Sequence, residues 1–298
     1  MSPILLKDWI MPRLPNLLRT QFQRNYLFFS GADPMMFASP EASGEPHLLY
    51  AIYQSMIAAY LVFLSIYSGF ASKHGVKVFI YFTYWNLYLC SLTFIMKAYH
   101  AWQFYQKYRD NKEKRPTDLS TGMKFQWVLY NITCSGGIIV AILYWLVLYH
   151  PGKTTSFLGI NTHGVLASII LMDIFITAIP VRLLHAWMSS VYAALFSMFC
   201  FFYWQAGGKN TKDKPYIYSV IDFSNNWEMA LICIFSLIFF MGPLLHTFLF
   251  CIHLLRRTIY NRMSCLNREK TLLHEQGHNE NCEMQQTSDK ETLNMNSV

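Results

Sequence analysis

Residues 229–252 read MALICIFSLIFFMGPLLHTFLFCI, a run without Asp, Glu, Lys or Arg. As a helix it rises about 36 Å, more than the roughly 30 Å of a bilayer's hydrocarbon core. Five further apolar runs precede it, over 49–70, 78–102, 125–149, 160–181 and 186–206, and the last run itself begins at 227 with Glu228 near its start. Within the five earlier runs the only Asp, Glu, Lys or Arg are Lys97 and Asp173. Of the 298 residues 53 % are hydrophobic and 14 % charged, where a soluble domain carries about a quarter charged. That composition excludes a disordered chain, a coiled coil and a collagen. It predicts an all-α integral membrane protein, a six-transmembrane-helix bundle, with Trp102, Tyr149, Trp187 and Trp227 marking span ends at headgroup level.

The formal net charge of +7 does not point to nucleic acid, because the basic residues sit in loops between apolar runs. Seventeen Lys and Arg fall in the N-terminal segment, the second and fourth loops and the tail; six fall in the other three loops, and Lys97 completes the 24. The positive-inside rule then puts both termini in the cytosol. Residues 1–47 read as a cytosolic or interfacial lead-in whose Arg13, Arg19 and Arg24 rest against anionic headgroups, 48–257 as the membrane domain, and 258–298 as a disordered cytosolic tail. No signal peptide is visible, since Lys7, Asp8, Pro12, Arg13 and Pro15 break the first apolar residues. No internal repeat of the transporter kind stands out. Cys90, Cys134, Cys200, Cys233 and Cys251 lie in apolar runs and Cys265 and Cys282 in the tail, a distribution that offers no disulfide framework. No metal-binding or cofactor-binding motif is present.

Polar groups inside lipid each need a reason. Thr83, Asn86, Cys90, Thr93 and Lys97 are spaced by three and four, which puts them within about 80° on one helix face. That face looks either onto neighbouring helices, as hydrogen-bonding glue, or into a hydrated cavity. The second and fourth runs cross in the same direction. Thr83 and His163 sit about five and three residues into them, both within about 10 Å of the outer boundary. A Thr hydroxyl becomes a nucleophile when a base takes its proton, and His is the usual base near neutral pH. With Thr83 as nucleophile and His163 as base, Asn86, one turn away, is the nearest oxyanion donor, and Asp222, in the loop 207–226 that could fold back over the bundle, could orient His163. The bland reading is a structural histidine and a solvated loop carboxylate. Asp173 lies about 15 Å deeper than His163. It is read as structural, with Asn131 or Lys97 as its partner, and His246 as a packing group.

Several motifs resemble the rolling stone family of multi-span proteins: YFTYWNLYLC at 81–90, INTHG at 160–164, PVRLLH at 180–185, the glycine pair at 207–208 and YIYSVIDF at 216–223. That resemblance implies a multi-pass fold and an association with myoblast fusion, without an established chemical activity. A more remote similarity is to the androgen-induced and androgen-dependent TFPI-regulating intramembrane threonine hydrolases, which cleave fatty acid esters of hydroxy fatty acids. Their threonine follows leucine in an aromatic setting, where this chain has Phe82-Thr83. Their histidine stands beside asparagine, as Asn161 and His163 do here. Two functions follow. One is an intramembrane lipid-ester hydrolase using Thr83 and His163, with membrane lipids around it and a lipid ester as substrate. The other is a non-catalytic protein of cell–cell fusion or adhesion.

Overall fold

The computed structural model describes residues 21–23, 26–71, 75–108, 114–149 and 155–295, with side chains described as far as residue 268 apart from 147 and 148. Arg13, Arg19 and Arg24 lie outside the described residues. Among the described residues eight α-helices form: α1 (Leu48–Ala71), α2 (Phe82–Tyr108), α3 (Thr121–Leu143), α4 (Phe157–Ile160), α5 (Leu166–Ile176), α6 (Ala186–Gln205), α7 (Trp227–Ser236) and α8 (Gly242–Met295). Three π-helical turns extend or join them, Tyr144–Leu148 after α3, Asn161–Val165 between α4 and α5, and Leu237–Met241 between α7 and α8. Among the described residues no strand forms; the nearest thing to one is an isolated bridge between Pro40 and Thr177.

Among the described residues five helical segments are long and apolar enough to cross a membrane: Leu48–Phe70, Thr121–Leu146, Phe157–Ile176, Leu183–Gln205 and Trp227–Arg268. α2 has the length, 27 residues, but its buried Asn86, Thr93, Lys97 and His100 dilute its apolar character. It also starts later than the sequence suggests. Val78–Ile80 belongs to a 3-10 turn, Gly75–Ile80, and the α-helix begins at Phe82. The chain divides into two units, 1–253 and 254–298. In the second the backbone stays helical through Met295, past residue 258, where the polar composition suggests disorder. Elongating a helix already nucleated costs far less than starting one.

α2 lies between α1 and α3, and α3 packs in turn on α5 and α6. The α2–α3 approach depends on Gly136 and Gly137. A Cβ on Gly136 would run into the Asn86 Oδ1 atom and come within 3.2 Å of the Tyr192 ring, and one on Gly137 would run into Ile170.

The fourth apolar run is helical only to Ile176, not to 181. Pro180 disfavours helix at the residue before it, and Thr177 is already extended, at ψ 147°. Backbone left without helical bonds at this depth must find partners in the protein, and the N-terminal segment supplies them. The Glu41 N–H donates to the Ile176 carbonyl (2.8 Å), and the Ala178 N–H to that of Ser39 (3.1 Å). Trp127 Nε1 donates to the Pro180 carbonyl (2.7 Å). The buried Arg182 guanidinium donates to the carbonyls of Phe28 and Ser30, both at 2.7 Å, and lies over the Trp127 ring. Met35, Phe37 and Ala38 are buried with it. The segment read as an interfacial lead-in is therefore, from 26 to 41, part of the packed structure.

Candidate functional site

The site is assembled at the end of the bundle opposite the docked N-terminal segment. Thr83 is the second residue of α2. The loop before α7 folds back over this end and is tied down by several contacts. Tyr81 Oη and Thr211 Oγ1 are 2.9 Å apart, Lys77 Nζ donates to the Asn210 carbonyl (3.3 Å), and the Tyr81 and Tyr218 rings meet edge to face. The Phe82 N–H, one of the unpaired donors at the start of α2, donates to Tyr218 Oη at 3.1 Å. The Tyr218 phenol also lies beside the Thr83 side chain. Desolvation pushes this phenol well above its ordinary range, so it stays protonated at neutral pH with a hydrogen to donate.

His163 stands on the π-helical turn Asn161–Val165. That turn is held by two side chains bonding back to the preceding turn: Asn161 Nδ2 to the Phe157 carbonyl (2.7 Å) and Thr162 Oγ1 to that of Leu158 (2.8 Å). Such back-bonding competes with the regular ladder, and π turns of this kind re-aim side chains, often at functional sites. The imidazole stacks face to face on Tyr144, with centroids 3.8 Å apart and planes within 1°. Tyr144 itself opens the π turn that follows α3. The Val140 carbonyl faces the ring, yet His163 Nδ1, which is buried, makes no hydrogen bond.

α2 touches the His163 turn directly, and Thr83 and His163 line the same two adjoining spaces. One is a cavity of about 710 Å³ whose walls include Tyr81, Ser156, Lys212, Lys214 and Ser219. The other is an apolar slot of about 90 Å³ walled by Ile139, Val140, Leu143, Phe196, Ile221 and Leu237, among others, and open beside the exposed Leu143 and Val220. Thr83, Tyr144, His163 and Tyr218 belong to both. Each of the three π turns contributes a side chain here, Tyr144, His163 and Leu237.

The remaining polar residues are placed elsewhere. Asn86 is fully buried against Gly136 and Gly137, lines neither space, and has no hydrogen-bond partner on either amide atom. Asn161 Oδ1 accepts from Tyr60 of α1, so this residue braces the His163 turn without facing the cavity. Asp222 also lies outside both spaces. Its carboxylate accepts from the Ser224 N–H (2.9 Å), the Asn225 N–H (3.1 Å) and Asn225 Nδ2 (2.8 Å), which caps its own turn rather than orienting His163. Desolvation alone would raise this carboxyl, but the Asn225 and Ser224 donors outweigh it and hold the group below its ordinary range.

Deeper in the bundle Asp173 pairs with Lys97 and also accepts from Gln54 Nε2 (3.0 Å). Both charges are buried, and the ammonium lies over the Phe94 and Tyr130 rings. Asn131 is not the partner. Its Nδ2 donates to the Trp127 carbonyl (2.8 Å) and faces His185 Nδ1 (3.3 Å). His246 Nε2 meets the Arg182 carbonyl at 2.8 Å, a packing contact. Among the described side chains no group of His, Cys, Asp or Glu could hold a metal ion.

Comparison with known proteins adds an ancestry to this geometry. The Drosophila melanogaster Protein rolling stone is 26 % identical over 209 residues, covering 67 % of this chain and 76 % of the relative. No solved structure matches, and the remoter likeness to the androgen-induced hydrolases finds no support in these matches. The family model described as Protein rolling stone matches residues 16–271. That span holds every element that builds the cavity, and the chain belongs to the rolling stone family.

Proposed function

We propose that this membrane protein hydrolyses a lipid ester by acyl transfer to Thr83, at the non-cytosolic end of a six-span bundle. The observation that carries the reading is that a hydroxyl and an imidazole from separate elements line one two-part cavity together with a phenol. Thr83 Oγ attacks the ester carbonyl carbon while the His163 imidazole, which lines the same space, takes its proton. The negative charge that develops on the carbonyl oxygen is met by the Tyr218 hydroxyl, whose oxygen already accepts from the Phe82 N–H. Collapse breaks the ester C–O bond, and the alcohol leaves with the proton from His163. A water then attacks the acyl-threonine, passes its proton to His163 and regenerates the Thr83 hydroxyl. The stack on Tyr144 takes the place of an orienting carboxylate by fixing the imidazole plane. Asn86 has no part in this scheme, because it does not line the cavity.

Fluorophosphonate labelling of the purified protein tests the reading. The wild type is expected to label on Thr83, and Thr83→Ala and His163→Ala to lose the label. Equal labelling of all three overturns it and leaves the non-catalytic reading, a membrane protein of cell–cell fusion or adhesion.

A further inference from the structure

The apolar slot beside Thr83 is a passage with one buried and one open end. Ile139, Val140 and Phe196 are buried in its walls, whereas Leu143 and Val220 are 37 % and 40 % exposed. Leu143 and Leu237, both in those walls, belong to segments long and apolar enough to cross a membrane, Thr121–Leu146 and Trp227–Arg268. Leu237 stands about 15 Å along its helix from Trp227, where the second of these segments starts. At that level the surroundings of a spanning helix are hydrocarbon rather than water. The nearby surface is apolar to match: Leu146, one turn beyond Leu143, and Phe235 and Phe240, on either side of Leu237 in the chain, are all exposed. A contiguous exposed surface of this kind marks contact with a membrane or a partner.

Thr83, Tyr144, His163 and Tyr218 form the seam between this slot and the wide cavity, whose walls carry Ser156, Lys212, Lys214 and Ser219. One side of the seam suits hydrocarbon and the other a polar, hydrated group. We infer, resting on the acyl-transfer reading above, that substrate reaches Thr83 sideways from the bilayer, through the opening beside Leu143 and Val220. The substrate class is then an amphiphilic ester with one long hydrocarbon arm. Its polar arm occupies the wide cavity, the carbons next to the ester lie in the slot, and the rest of the chain stays in lipid. The open end sets no limit on the length of that chain. Each methylene that never enters water favours this route by about fourfold, so a long chain takes it in preference to an approach through the polar cavity. Leu143 and Val220, which touch neither reacting group, act as specificity-determining residues at the entrance.

The test uses the full-length protein in phosphatidylcholine vesicles and two fluorophosphonates with the same reactive group, one carrying an ethyl chain and one a hexadecyl chain. The hexadecyl probe partitions into the vesicles, and the ethyl probe reaches Thr83 from water. Leu143→Trp and Val220→Trp each narrow the entrance at a half-exposed position, and either serves if the other fails to fold. The readout is the ratio of hexadecyl to ethyl labelling rates on Thr83. Each variant is expected to lower that ratio at least about tenfold relative to the wild type, the effect of denying roughly two methylenes their apolar path. A ratio unchanged in both variants, or a wild type that labels on Thr83 with the ethyl probe alone, overturns the sideways route and leaves acyl transfer standing. No Thr83-dependent labelling by either probe removes the acyl-transfer reading, and this inference with it.

Discussion

Tyr218 and Lys97 show how differently a single polar side chain can act in this bundle. Tyr218 sits at the seam of the cavity with its oxygen already accepting from the Phe82 N–H, an arrangement that polarises its O–H for donation. Tyr218→Phe keeps the ring and its contacts with Tyr81 and Phe196 and removes only the hydroxyl. Fluorophosphonate labelling of Thr83 should then slow by about a hundredfold, the usual cost of losing an oxyanion donor, while His163→Ala abolishes it. An unchanged labelling rate in Tyr218→Phe would show that the phenol serves only to cap α2. Lys97, by contrast, belongs to the scaffold. Its ammonium and the Asp173 carboxylate have no water to fall back on, and removing one partner of such a pair costs about 3–5 kcal/mol, whereas replacing both with apolar groups can be nearly neutral. Lys97→Met should lower the thermal unfolding midpoint in detergent sharply, and adding Asp173→Leu should recover most of the loss. Midpoints for both variants equal to the wild type would mean that the pair contributes nothing to stability.

At the scale of the element, α2 governs the arrangement, because one of its faces carries Thr83 towards the cavity, Asn86 towards α3 and Lys97 towards α5. The spacing by threes and fours made that face legible in the sequence, and the common depth of Thr83 and His163 followed from the rise of two helices running in the same direction. What each position meets was not legible, since depth along a helix says nothing about rotation around a neighbour. Asn131 and Lys97 were both candidates for Asp173, and only the way α5 is set in the bundle, with its carboxylate against the Lys97 ammonium, decides for Lys97. Tyr144 and Tyr218 escaped notice for related reasons. One is turned into the cavity by a π turn and the other by a loop that folds back, and neither leaves a periodic trace. The end of α5 at Ile176 did have a signal, Pro180, which a plain count of apolar residues overrides. The α2–α3 contact makes its own prediction. Gly136→Ala would force a methyl group onto Asn86 and Tyr192, and overpacking of that kind costs about 1–3 kcal/mol. The thermal midpoint should fall, and an unchanged midpoint would mean that the two helices have room to separate.

For the molecule as a whole, five helical segments among the described residues meet the criterion of length and apolarity for a membrane span, and α2 does not. The connections are already sorted into two sets. Residues from the turns before α2 and α4 and from the loop before α7 line one cavity together, among them Tyr81, Ser156 and Lys214. At the other end Arg115, in the connection between α2 and α3, pairs with Glu45 through two bonds of 2.9 and 2.8 Å, and Arg182 holds Phe28 and Ser30. Alternate connections meet at opposite ends, the arrangement that the proposed six crossings require. A helix of 27 residues is about 40 Å long, and its polar side chains are turned into the bundle, where Lys97 finds Asp173. On that proposal the excess of Lys and Arg on the N-terminal set of connections would orient that end to the cytosol. Glycosylation acceptor sites make this testable, because an Asn-x-Thr sequon is modified only on the luminal side of the membrane. A sequon carried on an insertion within 209–214 should be glycosylated in microsomes, and one within 115–119 should not. The opposite pattern would invert the orientation, and modification at both positions would mean that the chain crosses the membrane an even number of times between them, which six spans do not allow.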